Sequence, residues 1–355
     1  MTRRKESIKG LLVSLLGLGA AFLALLILDT QGMLNNYLRG IIVQCLYTII
    51  LVTSLNLATG FLGQIALGHA GFMAIGAYTS ALVTKAIGNA VTTGAMMPID
   101  PLLQFFIGLV CGAIMAALFG LLVGIPALRL RGDYLAIITL GFGEIIRVVI
   151  QNLKFAGGRG LAQGQAGQAL IKIMRMNDMY IVFAITIVCV GLMFAFVRSK
   201  YGRAIMAIRE DDIAAGSVGV NTTYYKVLTF AISAMFAGVA GALFAHRGTG
   251  SLAHTDFTFL KSTEFIIMVV LGGMGSLTGS IISAITLTIL PEALRAFADY
   301  RMLAYSVVLV IVMIFRPIGL CGNYEFSLYR LLRLLPKLFS PSPYKRKQHT
   351  IKGGD

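Results

Sequence analysis

Tryptophan is absent from this 355-residue chain, cysteine occurs only 4 times, and charged side chains make up 13% of the residues. Soluble domains carry roughly 25% charged residues, so the low charge excludes an ordinary soluble protein. The cysteines are dispersed, mostly within apolar runs, and lack the paired spacing of a zinc site or a disulfide framework. We interpret all of them as small core residues: Cys45, Cys111, Cys189 and Cys321.

The sequence also lacks the short motifs of common hydrolases and nucleotide-binding proteins. No H-E-x-x-H, G-x-S-x-G or G-x-x-x-x-G-K-[ST] pattern occurs in it. Without a phosphate loop the chain is not expected to bind ATP in that way. Any energy source must then come from a partner or from an ion gradient.

Apolar side chains dominate what is present: 57% of the residues are hydrophobic, and the mean hydropathy is +0.83. Several apolar runs are long enough to cross, or nearly cross, a bilayer core of about 30 Å. The sequence therefore predicts an all-α polytopic membrane protein with about ten transmembrane helices. The predicted spans are 10–28, 40–58, 61–84, 101–125, 134–150, 179–197, 226–246, 262–275, 277–294 and 302–320.

Basic residues outnumber acidic ones by 30 to 15, which gives a net charge of +15. They lie between the apolar runs and in the tail, without the aromatic-studded basic face of a nucleic-acid-binding protein. Most fall in the segments that would be cytoplasmic if the N-terminus is inside, as the positive-inside rule requires. We therefore expect both termini in the cytoplasm, an uncleaved first helix rather than a signal peptide, and a basic tail at 321–355 lying on membrane lipid.

Glycine is abundant, with 40 residues, and many of them lie inside apolar runs. Small residues allow close helix packing, and interrupted membrane helices occur where protein or an aqueous cavity satisfies the freed backbone. Glycine-rich stretches occupy similar places in 40–150 and 226–320. The pattern predicts some Gly-interrupted helices and a possible inverted repeat. Plain close packing would account for many of the same glycines.

Residues 197–221 form a charged, small-residue segment between two long apolar runs. Basic side chains are followed by acids at 210–212 and then by an Ala214-Ala215-x-x-x-Gly219 helical pattern. The acids suit the N-terminus of a short helix, where a carboxylate caps free N–H groups. One interpretation is a surface that touches another protein outside the membrane. The other is an ordinary positive-inside loop.

Ionisable residues inside the predicted spans are few, and such residues are candidates for function because burying them is costly. Glu144 and Arg147 lie three apart on one helix and can pair, either for function or simply to hold that helix in place. His69 lies among glycines, although a lone His is more often a hydrogen-bonded core residue. A set of acids near mid-membrane, typical of proton-coupled carriers, is not found, which argues against a secondary transporter.

Four blocks of the sequence carry a family resemblance: 56–82, 128–149, 202–245 and 269–280. In this order they resemble LivM-type permease subunits of high-affinity branched-chain amino acid ABC importers. The resemblance covers most of 40–320, and related permeases for urea and other amides share much of the pattern. It implies a permease in the bacterial inner membrane that works with a homologous second permease, two cytoplasmic ATP-binding subunits and a periplasmic substrate-binding protein. ATP and Mg would be bound by those partner subunits, with no cofactor in this chain.

The resemblance also assigns roles to residues. The segment 198–220 resembles the coupling helix of ABC importers, with Ile213 where many members carry Glu and without their I-x-L-P ending. Its candidate coupling residues are Tyr201, Gly202, Arg203, Arg209, Glu210, Asp211, Asp212, Ala214, Ala215 and Gly219. The candidates for the translocation path are Asn56, Gly60, Gly63, Gln64, Gly68, His69, Gly71, Phe72, Glu144, Arg147, Gly272, Gly273 and Gly275.

The expected organisation has three parts: an N-terminal tail, first helix and external loop at 1–39, a permease domain at 40–320, and the basic tail. The expected function is passage of leucine, isoleucine or valine delivered by the binding protein. Urea or short amides are alternative substrates. A stand-alone channel or secondary carrier would transport without partners, and an intramembrane enzyme would need a paired acid, metal or nucleophile set, which the sequence does not show.

Overall fold

The computed structural model describes residues 35–92, 100–128, 130, 132–153, 179–247 and 252–297, with isolated positions 300, 306, 307, 310, 314 and 319. The predicted first span and the basic tail lie outside these residues, as does nearly all of the predicted span 302–320. Apart from short connections, the described ranges are helical, with no strand. This confirms the all-α class.

The first two described helices are α1 (Asn36–Asn56) and α2 (His69–Thr92). Helix α1 continues as a π-helical turn, Leu57–Phe61, so the helical stretch is 26 residues long. Residues 62–68 are not helical, and α2 starts eight residues later than the predicted span 61–84. The non-helical residues connect two helices, so the prediction of helices interrupted within a span stays a prediction.

Four further long helices are α3 (Pro101–Ala127), α4 (Asp133–Asn152), α5 (Met179–Arg198) and, after two short helices, α8 (Thr222–Ala245). Pro101 suits the first turn of α3, where a missing N–H costs nothing. Asn221 caps α8 by accepting the Tyr224 N–H at 3.1 Å. With α1 and α2, six helices of the described part are long and apolar enough to cross a membrane.

The two short helices are α6 (Lys200–Glu210) and α7 (Asp212–Ser217). Ser199 caps α6, and Asp211 caps α7 with its Oδ1 accepting the N–H groups of Ile213 at 2.8 Å and Ala214 at 3.0 Å. The prediction that an acid opens a short helix here is confirmed.

The last pair is α9 (Phe259–Gly272) and α10 (Leu277–Ala293), preceded by a 3₁₀ turn at His254–Phe257 and followed by another at Leu294–Phe297. Helix α9 has 14 residues, which at 1.5 Å per residue is about 21 Å and short of the bilayer core. The run 262–275 is therefore not a full-length span, because the helix ends at the glycine-rich turn 273–276.

Helices α2, α3 and α8 form the most closely packed group in the described part. They meet at three glycines, Gly76, Gly112 and Gly238: a Cβ on Gly76 would collide with the Gly238 backbone, and one on Gly112 would lie 2.7 Å from the Gly76 carbonyl oxygen. Such contacts between backbones are the closest that small residues allow. Helix α1 packs on α8 and α10 and brings its end to the candidate site.

Candidate functional site

Asn56, a predicted path residue, holds the turn 273–276 against the end of α1. Its Nδ2 donates to the Ser276 carbonyl oxygen at 2.9 Å and to the Ser280 Oγ at 2.7 Å. Its Oδ1 accepts the Gly275 backbone N–H at 3.0 Å. The side chain is fully buried. Nearly all of its hydrogen-bonding capacity is used on residues that are far away in sequence.

Glycines allow the turn 273–276 to lie this close to the end of α1. A Cβ on Gly60 would collide with Asn56 Oδ1 and the Gly275 nitrogen. Gly63 and Gly275 have φ angles of +76° and +89°, in the left-handed region that residues with a Cβ rarely adopt. Gly272 ends α9 and Gly273 is its C-terminal cap. The predicted glycines Gly60, in the π-helical turn before the segment 62–68, and Gly275, in the turn 273–276, thus meet in space.

The other end of the segment 62–68 lies on α4. The Leu67 N–H donates to Thr139 Oγ1 at 3.0 Å, and a Cβ on Gly68 would collide with the Thr139 carbonyl oxygen. A Cβ on Gly71 would lie 2.9 Å from the Gly143 Cα. The segment is therefore fixed by α1 at one end and by α4 at the other. Gln64, which lies within it, is half-buried.

His69 and Phe72 are packed inside the protein. The His69 Nε2 and the Ser54 Oγ are 2.9 Å apart, and the His side chain is buried. The Phe72 ring packs edge to face on Phe230, with centroids 5.5 Å apart. His69 has the geometry of a hydrogen-bonded core residue, the alternative that the sequence left open.

Glu144 and Arg147 form the predicted pair, with Arg147 Nε 2.7 Å from Glu144 Oε2. The second carboxylate oxygen accepts the Phe259 N–H at 3.0 Å, at the start of α9. Both side chains are about a quarter exposed, and Glu144 lines a small cleft with Leu67, Gly71, Gly143 and Ser262. Because both oxygens are engaged by the protein, the pair is suited to holding α4 against α9.

The α6–α7 pair carries the predicted coupling residues, which divide into buried and exposed groups. Gly202 packs on the Val197 backbone, and the Tyr201 ring stacks on Phe196 with centroids 6.4 Å apart. Ala215 is buried within this chain, so the prediction that its side chain faces a partner does not hold in this structure. The exposed residues are Arg203, Arg209, Glu210, Asp211, Ala214 and Gly219, with Asp212 partly buried.

Two apolar side chains on this pair were not identified from the sequence. Ile213 is 75% exposed and Val218 81% exposed, the two highest values among the large hydrophobic residues of the described part. Both lie outside the six candidate spans. Prominent exposed apolar side chains of this kind mark contact surfaces when they occur together. The available signal was one β-branched residue directly before the small-residue pattern and another inside it, directly before Gly219.

An ion pair between α7 and α8 was also missed. Lys226 Nζ lies 2.7 Å from Asp212 Oδ2, and the two side chains are 10% and 26% exposed. Because Lys226 is in the second turn of a long helix, this pair fixes α7 to α8 and explains why Ala215 faces inward. Sequence reasoning had counted Lys226 only as a basic residue of the loop.

We expect Asp212→Asn to lower the melting temperature of the purified chain more than Lys226→Met. The first change leaves a buried ammonium without its countercharge, whereas the second leaves a carboxylate that water reaches more easily. The double variant should recover part of the loss, with a coupling of about 1 kcal/mol. Equal melting temperatures in all four proteins would contradict a structural role for this pair.

Within the described residues, no group of three or more His, Cys, Asp or Glu side chains is placed to hold a metal ion. The site consists instead of backbone segments, glycines and a few polar side chains. It offers hydrogen bonds and close packing, and two exposed apolar side chains at α7.

Comparisons with known proteins agree with this description. The family model described as "Branched-chain amino acid transport system / permease component" matches residues 37–316. The high-affinity branched-chain amino acid transport system permease protein LivM of Escherichia coli is 39% identical over 300 residues, covering 77% of this chain and 67% of that protein. The corresponding permease protein BraD of Pseudomonas aeruginosa is 26% identical, covering 82% of this chain and 96% of the relative.

The permease protein LivH of Escherichia coli is 25% identical over 308 residues, again with 96% of the relative covered. No solved structure shows a significant match. The family model spans well over half of the chain and includes the segment 62–68, the α6–α7 pair and the turn 273–276. This chain, a multi-pass inner-membrane protein, belongs to the family of permease components of branched-chain amino acid transport systems.

Proposed function

We propose that this chain is a permease subunit of an ATP-driven importer and forms part of the path for leucine, isoleucine and valine. The observation that carries the proposal is the attachment of the non-helical turn 273–276 to the end of α1, whose π-helical turn leads into the non-helical segment 62–68. Non-helical backbone between membrane helices is typical of transport sites, where it lines a cavity.

The chemistry of the substrate fits such a path. An aliphatic amino acid is a zwitterion with an apolar side chain, so a path must hydrogen-bond both charged groups and still accept apolar bulk. Backbone N–H and C=O groups beside glycines can do this without strong ionic binding. Selection can then rest with a periplasmic binding protein, and the permease needs only a weak, transient route.

We also propose that 40–150 and 226–320 are inverted repeats. The segment 62–68 follows the first long helix of one half, and the turn 273–276 follows α9 in the other. Asn56, at the end of that first helix, is hydrogen-bonded to the turn 273–276. A pseudo-two-fold axis in the membrane plane would bring corresponding segments together in this way.

The partners in this proposal are a homologous second permease, two cytoplasmic ATP-binding subunits that hold ATP and Mg, and a periplasmic binding protein. The contact with an ATP-binding subunit would be made by the exposed side of α7, with Ile213 and Val218 as its apolar part. Both termini and the α6–α7 pair would then lie in the cytoplasm.

The orientation is testable by cysteine labelling in whole cells and inverted vesicles. A cysteine replacing Lys200, at the start of α6, should react with an impermeant maleimide only from the cytoplasmic side. A cysteine replacing Asp100, just before α3, should react only from outside, because α3, α4 and α5 intervene between these positions. Labelling of both positions from the same side would contradict the proposed topology.

The function is tested with the complex purified together with the proteins of its own transport system and reconstituted in proteoliposomes. ATP hydrolysis and uptake are measured with the binding protein and leucine, isoleucine, valine, urea or acetamide. The proposal predicts stimulation by the three amino acids and uptake only with ATP. Stimulation by urea or acetamide alone would assign the chain to amide transport, and uptake by the chain without partners would identify a channel or secondary carrier.

A further inference from the structure

We propose that Arg209 is a positioning residue that transmits movement of the α6–α7 pair to both non-helical segments. This inference rests on the proposed ATP-driven transport and adds to it the residue through which the ATP-binding side reaches the path. Arg209 is in the last turn of α6, two residues before Asp211, which caps α7.

The side chain of Arg209 spans both segments. Its stem lies over Gly63, where a Cβ would be 3.1 Å from Cγ, 3.8 Å from Cβ and 3.9 Å from Cδ of the arginine. Its guanidinium lies over Gly275, where a Cβ would be 2.8 Å from Nη1 and 4.0 Å from Cζ. A single side chain from the cytoplasmic helix pair therefore touches residues 62–68 and 273–276 together.

The two glycines both adopt backbone geometry that residues with a Cβ rarely adopt. Gly63 and Gly275 both have positive φ, and both lack the side chain that would push Arg209 away. Asn56 ties the turn 273–276 to the end of α1 on the buried side. Arg209 thus contacts from the exposed side a turn that Asn56 holds from the buried side.

The α6–α7 pair is built to carry a displacement to this contact. The Asp211 N–H donates to the Ala207 carbonyl at 3.1 Å, and the Asp211 carbonyl accepts the Ala215 N–H at 3.0 Å, so the two helices join at Asp211 without a flexible linker. A force on α7 therefore reaches the last turn of α6 directly. The arginine stem then moves against Gly63 and the guanidinium against Gly275.

Arg209 is exposed, and an ion pair at an exposed position would contribute only about 0–1 kcal/mol. In the part of the chain that the structure describes, the arginine contacts turn backbone and forms no ion pair. Its importance therefore depends on its contacts with the backbone at Gly63 and Gly275. Removing its charge and shortening its side chain should both disturb these contacts.

The test uses three variants of the full chain. Arg209→Met keeps a stem over Gly63 and removes the guanidinium from Gly275, whereas Arg209→Ala removes both contacts. The matched control is Lys200→Met, which removes one positive charge from the same helix without a contact to either segment. The Lys200 ammonium lies over the Tyr201 ring instead, 5.4 Å from its centroid.

The first measurement is hydrogen exchange of each chain in nanodiscs, which does not depend on transport. Arg209→Ala should increase exchange in 62–68 and 273–276, Arg209→Met should do so mainly in 273–276, and Lys200→Met in neither. Unchanged exchange in Arg209→Ala would overturn the inference, since the side chain would then hold neither segment.

The second measurement is amino acid uptake per ATP hydrolysed in the reconstituted complex. Arg209→Ala should lower this ratio about tenfold, within the range of about 5- to 150-fold typical of coupling between sites, while assembly and basal ATP hydrolysis persist. A ratio equal to that of Lys200→Met would overturn transmission, and so would loss of assembly together with basal hydrolysis, because that pattern marks a structural residue. If the wild-type complex is not stimulated by any amino acid, the proposed function itself fails, and the transmission role fails with it, whatever the exchange data show.

Discussion

Gly76→Ala and Gly238→Ala are expected to abolish accumulation of the folded permease. The two glycines face each other across α2 and α8, and a Cβ on Gly76 would overlap the Gly238 backbone. A Cβ on Gly238 would in turn collide with the Ala116 side chain of α3 and lie 2.9 Å from the Gly112 carbonyl oxygen. Backbone atoms cannot rotate away as a side-chain end can, so the helices must separate. Overpacking of this kind costs about 1–3 kcal/mol or more.

This prediction is specific because the expected change is a loss of stability and not a gain. In a helix interior, replacing Gly by Ala normally stabilises by roughly 0.5–1 kcal/mol because the unfolded chain loses freedom. Gly88, on the same helix α2, has open space where a Cβ would go, so Gly88→Ala is the matched control and should be neutral or slightly stabilising. Membrane abundance and melting temperature in detergent measure both. Equal stability of Gly76→Ala and Gly88→Ala would show that the helices are farther apart than in this structure.

The long spans were predictable from the sequence because hydrophobicity alone determines which segments enter a bilayer. The Asp211 cap was predictable for a similar reason, since its partners lie two and three residues away along the chain. Both depend on local sequence. The late start of α2 could not be predicted, because Leu67 is held outside the helix by Thr139, 72 residues further on.

The orientation of α7 could not be predicted from the sequence either. The pattern of small residues suggested that Ala215 contacts a partner, but that pattern is compatible with any orientation of a short helix. The ion pair from Lys226 to Asp212 rotates the helix so that Ala215 points inward and leaves Ile213 and Val218 exposed. The sequence does not reveal this role of Lys226, because burial of an ammonium group cannot be deduced from its neighbours along the chain.

The role of Asn56 required the fold for the same reason. Its position among path candidates came from a family resemblance, whereas its three hydrogen-bond partners are 219 to 224 residues away. Serines such as Ser276 and Ser280 carry no distinguishing signal in an apolar run. Only the three-dimensional structure reveals that they accept hydrogen bonds from the buried amide group of Asn56.

Two substitutions of Asn56 should therefore nearly abolish uptake, for different reasons. Asn56→Leu removes the acceptor of the Gly275 N–H, and an unsatisfied buried donor costs about 1–3 kcal/mol. Asn56→Asp keeps an acceptor for that N–H but replaces both donor hydrogens of Nδ2 and sets a carboxylate against the Ser276 carbonyl oxygen. Burying such a charge without a partner costs several kcal/mol, so this variant should be the more damaging.

Ser280→Ala is the control, because it removes only one of the two acceptors of Asn56 Nδ2 and leaves the turn 273–276 attached to α1. Uptake should fall about tenfold or more in the Asn56 variants, since each 1.4 kcal/mol is roughly a factor of ten, and much less in Ser280→Ala. The measurement is ATP-driven uptake in proteoliposomes with equal amounts of assembled complex, so that poor accumulation is not mistaken for lost transport. Wild-type uptake by Asn56→Leu at equal abundance would mean that the turn does not need this attachment, and the site would then have to be sought elsewhere among the described helices.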